Sequence, residues 1–282
     1  EKYTPFDGIV LTDTFQLGET DESQKLFSEM FPQNSERVAR QKKAPLRVIM
    51  GNPPYSIGQK SANDNAQNQK YEKLDTCISN TYAKDSSGGL NKSLYDAYIK
   101  AFRWSTDRLD PINGGIIAFI TNGNWLDKPS MNGFRKYLEI EFSKIYVINL
   151  RGAIRGKSGE LAKKEGQNIF DILTGVAITL LVKNQNDKKE KAEIKYFDIG
   201  DYLTRKEKLE LLKRNKTIIS SNFDFKNISP DAHFDWINLR ASLFESFFET
   251  APVKKFDIKT KSIFTLNVIG VVTNRDSWVY SF

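Results

Sequence analysis

Leu46-Arg47-Val48-Ile49-Met50-Gly51-Asn52-Pro53-Pro54-Tyr55 is the stretch on which the fold turns. Its first half is a short apolar run of the kind that forms a buried strand, and Gly51 with the two prolines ends it. Each proline fixes its own φ and holds the residue before it extended, so Asn52 is presented at a strand terminus on a stiff arm. Working outward, Tyr95, Ile99, Phe102, Thr106 and Leu109 recur at near-helical spacing and predict an amphipathic helix over 94–109. Gly114-Gly115 then introduces 116–120, a second strand of the buried type. Phe134 and Leu138 mark a further helix, and 145–148, 175–182 and 194–199 read as strands. Thr204-Arg205-Lys206-Glu207 has the form of a capping box opening a helix to about residue 215. Strands that alternate with helices define an α/β fold, a mainly parallel sheet flanked by helices.

The flanks carry weaker signals. A β-branched run predicts a strand at 8–12, and 22–31 reads as a helix. Residues 56–93 are rich in Asn, Gln, Ser and Lys, with one helix expected near 71–82. A polar hinge at 186–190 and an irregular aromatic stretch beyond 215 suggest two regions. Residues 1–190 are expected to form the catalytic part, and 191–282 a C-terminal extension leading into target recognition.

Composition narrows the function. The 282 residues carry 42 Lys and Arg against 35 Asp and Glu, a net charge of +7 and a pI near 9.2. Such a balance suits a polyanionic partner through phosphate contacts, or is simply a basic surface. No apolar run is long enough to span a bilayer. The single cysteine, Cys77, excludes an internal disulfide framework and a cysteine-based metal cluster. It fits a reducing, cytoplasmic setting, and no metal site is expected. No glycine–lysine phosphate loop is present. The chain opens on Glu1 and reads as a fragment. His233, the only histidine, reads as a packing or surface residue.

A tetrad of the Asp/Asn/Ser-Pro-Pro-aromatic kind arises by chance in about one chain of this length in a hundred. As a plain structural feature it is a rigid turn closing a strand. As a chemical one it suits an exocyclic amine of a nucleobase, a poor nucleophile because its lone pair is delocalised into the ring. Two acceptors aimed at the two amine hydrogens draw the nitrogen toward tetrahedral geometry and free that pair. The Asn52 side-chain oxygen and the Pro53 carbonyl are such a pair, with Pro54 fixing their geometry. They favour the transition state, where positive charge develops on nitrogen. The Tyr55 ring supplies a stacking face for a base turned out of its duplex.

Residues 47–55 resemble the catalytic motif of the amino-methyltransferases that modify adenine in DNA. Residues 114–121 with Asn122-Gly123-Asn124-Trp125 resemble the strand and loop that follow it there, and Ile169-Phe170 ahead of 174–182 resembles the later aromatic motif. The resemblance implies a partial Rossmann-like methyltransferase fold, S-adenosylmethionine as cofactor, and double-stranded DNA with a flipped adenine as partner. Phe170 would face Tyr55 across the base; on pattern alone it could equally be a core aromatic before a strand. Asp13 is the candidate for the acidic residue near the cofactor, or a plain loop aspartate, and Asn52 also borders the cofactor in that reading. Arg151, Arg155, Lys157, Lys163 and Lys164 make the loop before Phe170 basic, for DNA phosphates or for solvent.

A narrower resemblance runs nearly the whole chain. It rests on Phe6-Asp7-Gly8-Ile9-Val10-Leu11-Thr12-Asp13-Thr14-Phe15, Gln41-Lys42-Lys43-Ala44-Pro45 and Gly58-Gln59-Lys60-Ser61-Ala62-Asn63-Asp64-Asn65. It continues through Asp198-Ile199-Gly200-Asp201-Tyr202-Leu203-Thr204 and Gly270-Val271-Val272-Thr273-Asn274-Arg275-Asp276. These stretches look like the methyltransferase segment of Type ISP single-polypeptide restriction–modification enzymes. That resemblance implies nuclease and helicase domains in the same parent chain. In one respect the chain departs from the family: residues 1–51 hold no convincing glycine-containing cofactor loop, so the main cradle for S-adenosylmethionine is expected upstream and the fragment is expected to be inactive alone. Two other readings remain: a non-catalytic DNA-binding fragment whose tetrad is only a turn, and a protein-glutamine methyltransferase, whose chemistry uses a similar tetrad.

Overall fold

A computed structural model describes residues 6, 8–19, 30–54, 70–87, 92–187, 190–218 and 223–237. In chain order its main elements are α1 (Pro32–Lys43), β1 (Val48–Gly51), α2 (Glu72–Ile78), α3 (Ala97–Arg108), β2 (Gly115–Asn122), α4 (Asn132–Glu141), β3 (Lys144–Asn149), α5 (Gly159–Lys164), β4 (Val176–Lys183), β5 (Glu193–Asp198), α6 (Arg205–Asn215) and β6 (Lys226–Ile228). A π turn, Ser79–Ala83, extends α2. All described residues lie in one unit of the chain, residues 1–238.

The strands form one sheet in the order β1-β2-β4-β3-β5-β6. β1 pairs with β2, and β3 with β5, in parallel; β4 runs antiparallel to both β2 and β3, and β6 antiparallel to β5. Four strands therefore point one way, as the α/β pattern predicts, and β4 is wedged between two of them in reverse. The cause is the connection. β1 reaches β2 and β2 reaches β3 through the helices α3 and α4, as parallel strands require. β3 reaches β4 through the loop 150–175, which turns back as an antiparallel neighbour without a crossover. The carboxyl ends of β1, β2, β3 and β5 consequently share one end of the sheet with the start of β4.

Each face is covered by what its pattern supplies. α3 buries Tyr98, Ile99 and Phe102, each worth about 1.5–3 kcal/mol. With α2 and α4 it covers Ile117, Phe119, Ile145, Val147, Ala177 and Leu181. On the other face Leu211 and Leu212 of α6 pack with Phe223 and Phe225 over Ile148, Leu150, Val176 and Ile199. Gly114, at φ 68°, lets the chain enter β2 against Lys183, whose carbonyl a Cβ would meet at 2.0 Å. The Thr204–Glu207 capping box forms as read. Residues 191–237 contribute β5, α6 and β6 to this same layer.

The flanks differ from the sequence reading in two places. Residues 8–12 are not a strand: the Leu11 amide and carbonyl bond the Asn34 side chain at 2.8 and 2.9 Å, and Gln41 donates to the Gly8 carbonyl at 2.5 Å. Side chains of α1 thus replace a ladder partner. α1 itself was not foreseen, because it buries no residue and carries no apolar stripe. Residues 22–29 of the expected first helix lie outside the described residues.

Candidate functional site

Asn52 stands one residue past β1, at the sheet end that collects the carboxyl termini. It is exposed, and its side chain makes no hydrogen bond to a described residue. The strand before it is an exposed edge where a buried one is expected from its apolar run, and an amide left open at its end is an acceptor available to a ligand. Pro53 is half-buried and Pro54 exposed. Tyr55 lies outside the described residues, as does 58–65.

The loop after β2 borders the same end. Asn122, buried, accepts from the Asn124 amide at 2.8 Å and so shapes the turn. The Gly123 amide donates to the Gly175 carbonyl at 2.9 Å, joining this turn to the start of β4. Beneath it Arg135 is fully buried and spends its donors on the carbonyls of Trp125, Lys128 and Phe234 and on Asp235 at 2.5 Å. The turn is thereby tied to 231–237, where Trp236 donates to Glu139 at 2.7 Å.

Two carboxyls edge this end. Asp96 occupies the N-cap position of α3, buried, and one of its oxygens has no hydrogen-bond partner among the described residues. Burial pushes its pKa up to about 6, opposed by the Tyr98 and Ala97 amides and by Lys128. Desolvation also raises the Asp127 carboxyl, opposed chiefly by Lys157. Lys128 follows β2 and Lys157 follows β3, so charges from both loops converge here.

Phe170 is 40% exposed whereas Ile169 is 7% exposed and anchored in the core. The ring therefore stands on the loop surface, and its neighbour does the packing. Asn168 makes this possible. Its Oδ1 accepts from the Phe170 amide at 2.9 Å, and its Nδ2 donates to the Gly152 and Thr174 carbonyls at 3.2 and 2.7 Å. Gly152, at φ 84°, is needed here, since a Cβ would meet Asn168 Nδ2 at 2.8 Å.

The five basic residues of this loop divide. Arg151, at φ 55°, bonds Asp198 at 2.6 Å and Asp201 at 2.5 Å, and Lys157 bonds Glu165. Arg155, Lys163 and Lys164 form no ion pair with a described residue, leaving them open to phosphates. Asp13 is occupied as well: it accepts from the Tyr71 hydroxyl at 2.7 Å and from the Phe15 amide at 3.0 Å. The sequence reading missed Lys208 and Asn168. Lys208 is wholly buried on α6 and donates to the Leu150 and Glu165 carbonyls at 2.8 and 3.0 Å. Burial lowers its pKa, partly offset by Glu165. A lysine inside a charged helix gives no pattern by which to find it.

Among the described residues no group of His, Cys, Asp and Glu could hold a metal ion, and no helix is long and apolar enough to cross a membrane. No family model and no curated protein matches the chain. Solved structures do, and they define a class first: segments of restriction–modification enzymes. The chain belongs, more particularly, with the Type ISP enzymes. It is 43% identical to a segment of the ATP-dependent Type ISP restriction-modification enzyme LlaBIII bound to DNA, with a TM-score of 0.88. It is 42% identical, at a TM-score of 0.84, to a segment of a nuclease-deletion mutant of the Type ISP enzyme LlaGI in complex with a DNA substrate mimic. A DrdV–DNA complex follows at 36% and 0.82. Each match covers 99% of this chain but only 18%, 21% and 27% of the other.

Proposed function

We propose that this chain is the acceptor half of a DNA methyltransferase that modifies the exocyclic amine of adenine, working as one module of a restriction–modification polypeptide. The observation that carries the reading is Asn52, an exposed amide without a hydrogen-bond partner among the described residues, at the carboxyl end of a parallel strand, where open α/β sheets bind ligands. Its Oδ1 and the Pro53 carbonyl accept the two amine hydrogens and hold the lone pair toward the donor. Phe170, turned out of the core by Asn168, offers one stacking face, and Tyr55 the other. Arg155, Lys163 and Lys164 hold phosphates nearby. In the Type ISP relatives this segment is a small part of a chain complexed with DNA; the parent of this chain is proposed to carry nuclease and helicase domains too, with residues 191–282 leading into target recognition.

S-adenosylmethionine is the proposed methyl donor, and the described residues do not fit it. Asp13 is engaged by Tyr71, and no glycine turn joins a strand to a helix before β1. β1 is the edge of the described sheet, with Val48 and Met50 60% and 73% exposed beside Ile116 at 37%. An unpaired edge with an uncovered apolar face calls for further sheet, so the donor's cradle is proposed to lie on a neighbouring part of the parent that pairs with β1.

The test is Asn52→Ala in the full-length protein. Methyl transfer into DNA should fall about 10²–10³-fold, the cost of removing one preorganised transition-state partner, with DNA affinity nearly unchanged. Normal turnover would remove the assigned role; methylation of protein but not DNA by the wild type would favour the glutamine-amide reading.

A further inference from the structure

The loop 150–175 exposes apolar side chains that the sheet behind it does not use. Ile154 and Leu173 are 38% and 52% exposed, yet the main chain beneath them is fixed. The Ile154 and Arg155 amides both donate to the Leu173 carbonyl at 3.1 Å, so the two residues share one ledge. Asn168 braces both arms of that ledge through the Gly152 and Thr174 carbonyls. Glu165 accepts from the Ala153 amide at 3.0 Å, and Lys208 holds the Leu150 and Glu165 carbonyls from below. The ledge cannot fold its apolar pair inward without breaking these bonds. It is held out in advance of whatever it meets.

Its surroundings indicate what that is. Arg155 adjoins Ile154, and Lys163 and Lys164 lie on the same loop, none of them paired with a described acid. A rigid apolar tip with an open arginine beside it, on a loop that carries two further open lysines, complements a surface of apolar faces edged by phosphates, which is the stacked interior of a nucleic-acid duplex. Phe170 hangs from the same Asn168 strut. Resting on the reading above that this sheet end receives a base turned out of DNA, we infer that Ile154 and Leu173 enter the duplex where the adenine leaves it and stand in for its stacking. Extrusion breaks pairing and stacking, and an apolar wedge between base steps offsets that loss.

The full-length protein tests this. Methylated adenines in DNA that it has modified are first mapped by sequencing. Duplexes carrying that site are then made with 2-aminopurine at the target position, either correctly paired or mispaired. Against the paired duplex, Ile154→Ser/Leu173→Ser should bind about tenfold more weakly and lose most of the fluorescence rise on extrusion. Against the mispaired duplex, whose base already flips at little cost, the deficit should shrink to about twofold. An equal loss on both duplexes, or a lowered melting temperature, would mark the pair as a packing face and overturn the wedge. No loss on either would overturn it as well. A wild-type protein that leaves DNA unmethylated removes the reading of the site, and the wedge with it; methylation with an unaffected double variant removes the wedge alone.

Discussion

At the scale of single residues, the chain spends buried polarity to shape one end of its sheet. Asp96 shows the cost. It stands at the N-cap position of α3 with one side-chain oxygen buried and without a hydrogen-bond partner among the described residues. Burial pushes its folded pKa up to about 6, well above the ordinary carboxylate range of about 4. The folded state therefore holds this proton more tightly than the unfolded one. That contribution is full below about pH 4 and is lost as pH rises through about 6. Asn caps as well as Asp and carries no charge. Asp96→Asn should thus raise stability by about 1–2 kcal/mol at pH 7.5, and the gain should vanish toward pH 4. Unfolding curves of both proteins across that range check it; a gain independent of pH would show that the buried charge is not the cause. Phe170 makes the complementary point, because its exposure follows from its neighbours Ile169 and Asn168 and not from its own chemistry.

At the scale of elements, α6 and the loop 150–175 form one mechanical unit. α6 is stopped at its start by the capping box, and it reaches back through Lys208 to the end of β3. The Arg205 amide donates to Gln167 at 2.9 Å and its guanidinium pairs with Asp171 at 2.5 Å. Loosening the helix start should therefore loosen the loop. Thr204→Ala should cost about 1 kcal/mol of stability. Hydrogen exchange should show faster opening of amides in 165–171 than in α4, which shares no contact with the cap. Uniform acceleration throughout the sheet would mean that loop and helix are not coupled in this way. Burial of Lys208 explains why α6 lies where it does, since an ammonium removed from water needs both carbonyls that it finds.

At the scale of the molecule, the described sheet ends on two unpaired edges, β1 and β6. Phe223 and Phe225 pack against Phe197 of β5, while β1 leaves Val48 and Met50 in solvent. On the proposed reading, the described residues supply the acceptor side and not the donor's cradle. This 282-residue chain alone should therefore neither bind S-adenosylmethionine tightly nor methylate DNA, although weak, salt-sensitive DNA binding should persist through its open cations. Calorimetry with the cofactor is the direct measurement; micromolar binding would place the cradle within this chain.

The sequence by itself determined the α/β alternation, the strand ending at Gly51, the capping box at Thr204 and the stiff Asn-Pro-Pro arm that follows the strand. Each of these is local, written in periodicity, proline stereochemistry or a four-residue spacing. It did not determine that β4 runs backwards between β2 and β3, since the direction of a strand depends on where its loop returns. Nor did it determine which basic residues are open: Arg151 and Lys157 meet acids brought in by folding, while Arg155, Lys163 and Lys164 do not. The strand expected at 8–12 failed for the same reason, because Asn34 and Gln41 satisfied its backbone from another element. Asn168 and Lys208 became supports only when the tertiary structure set carbonyls around them, and a partner supplied by distant chain leaves no mark in local sequence.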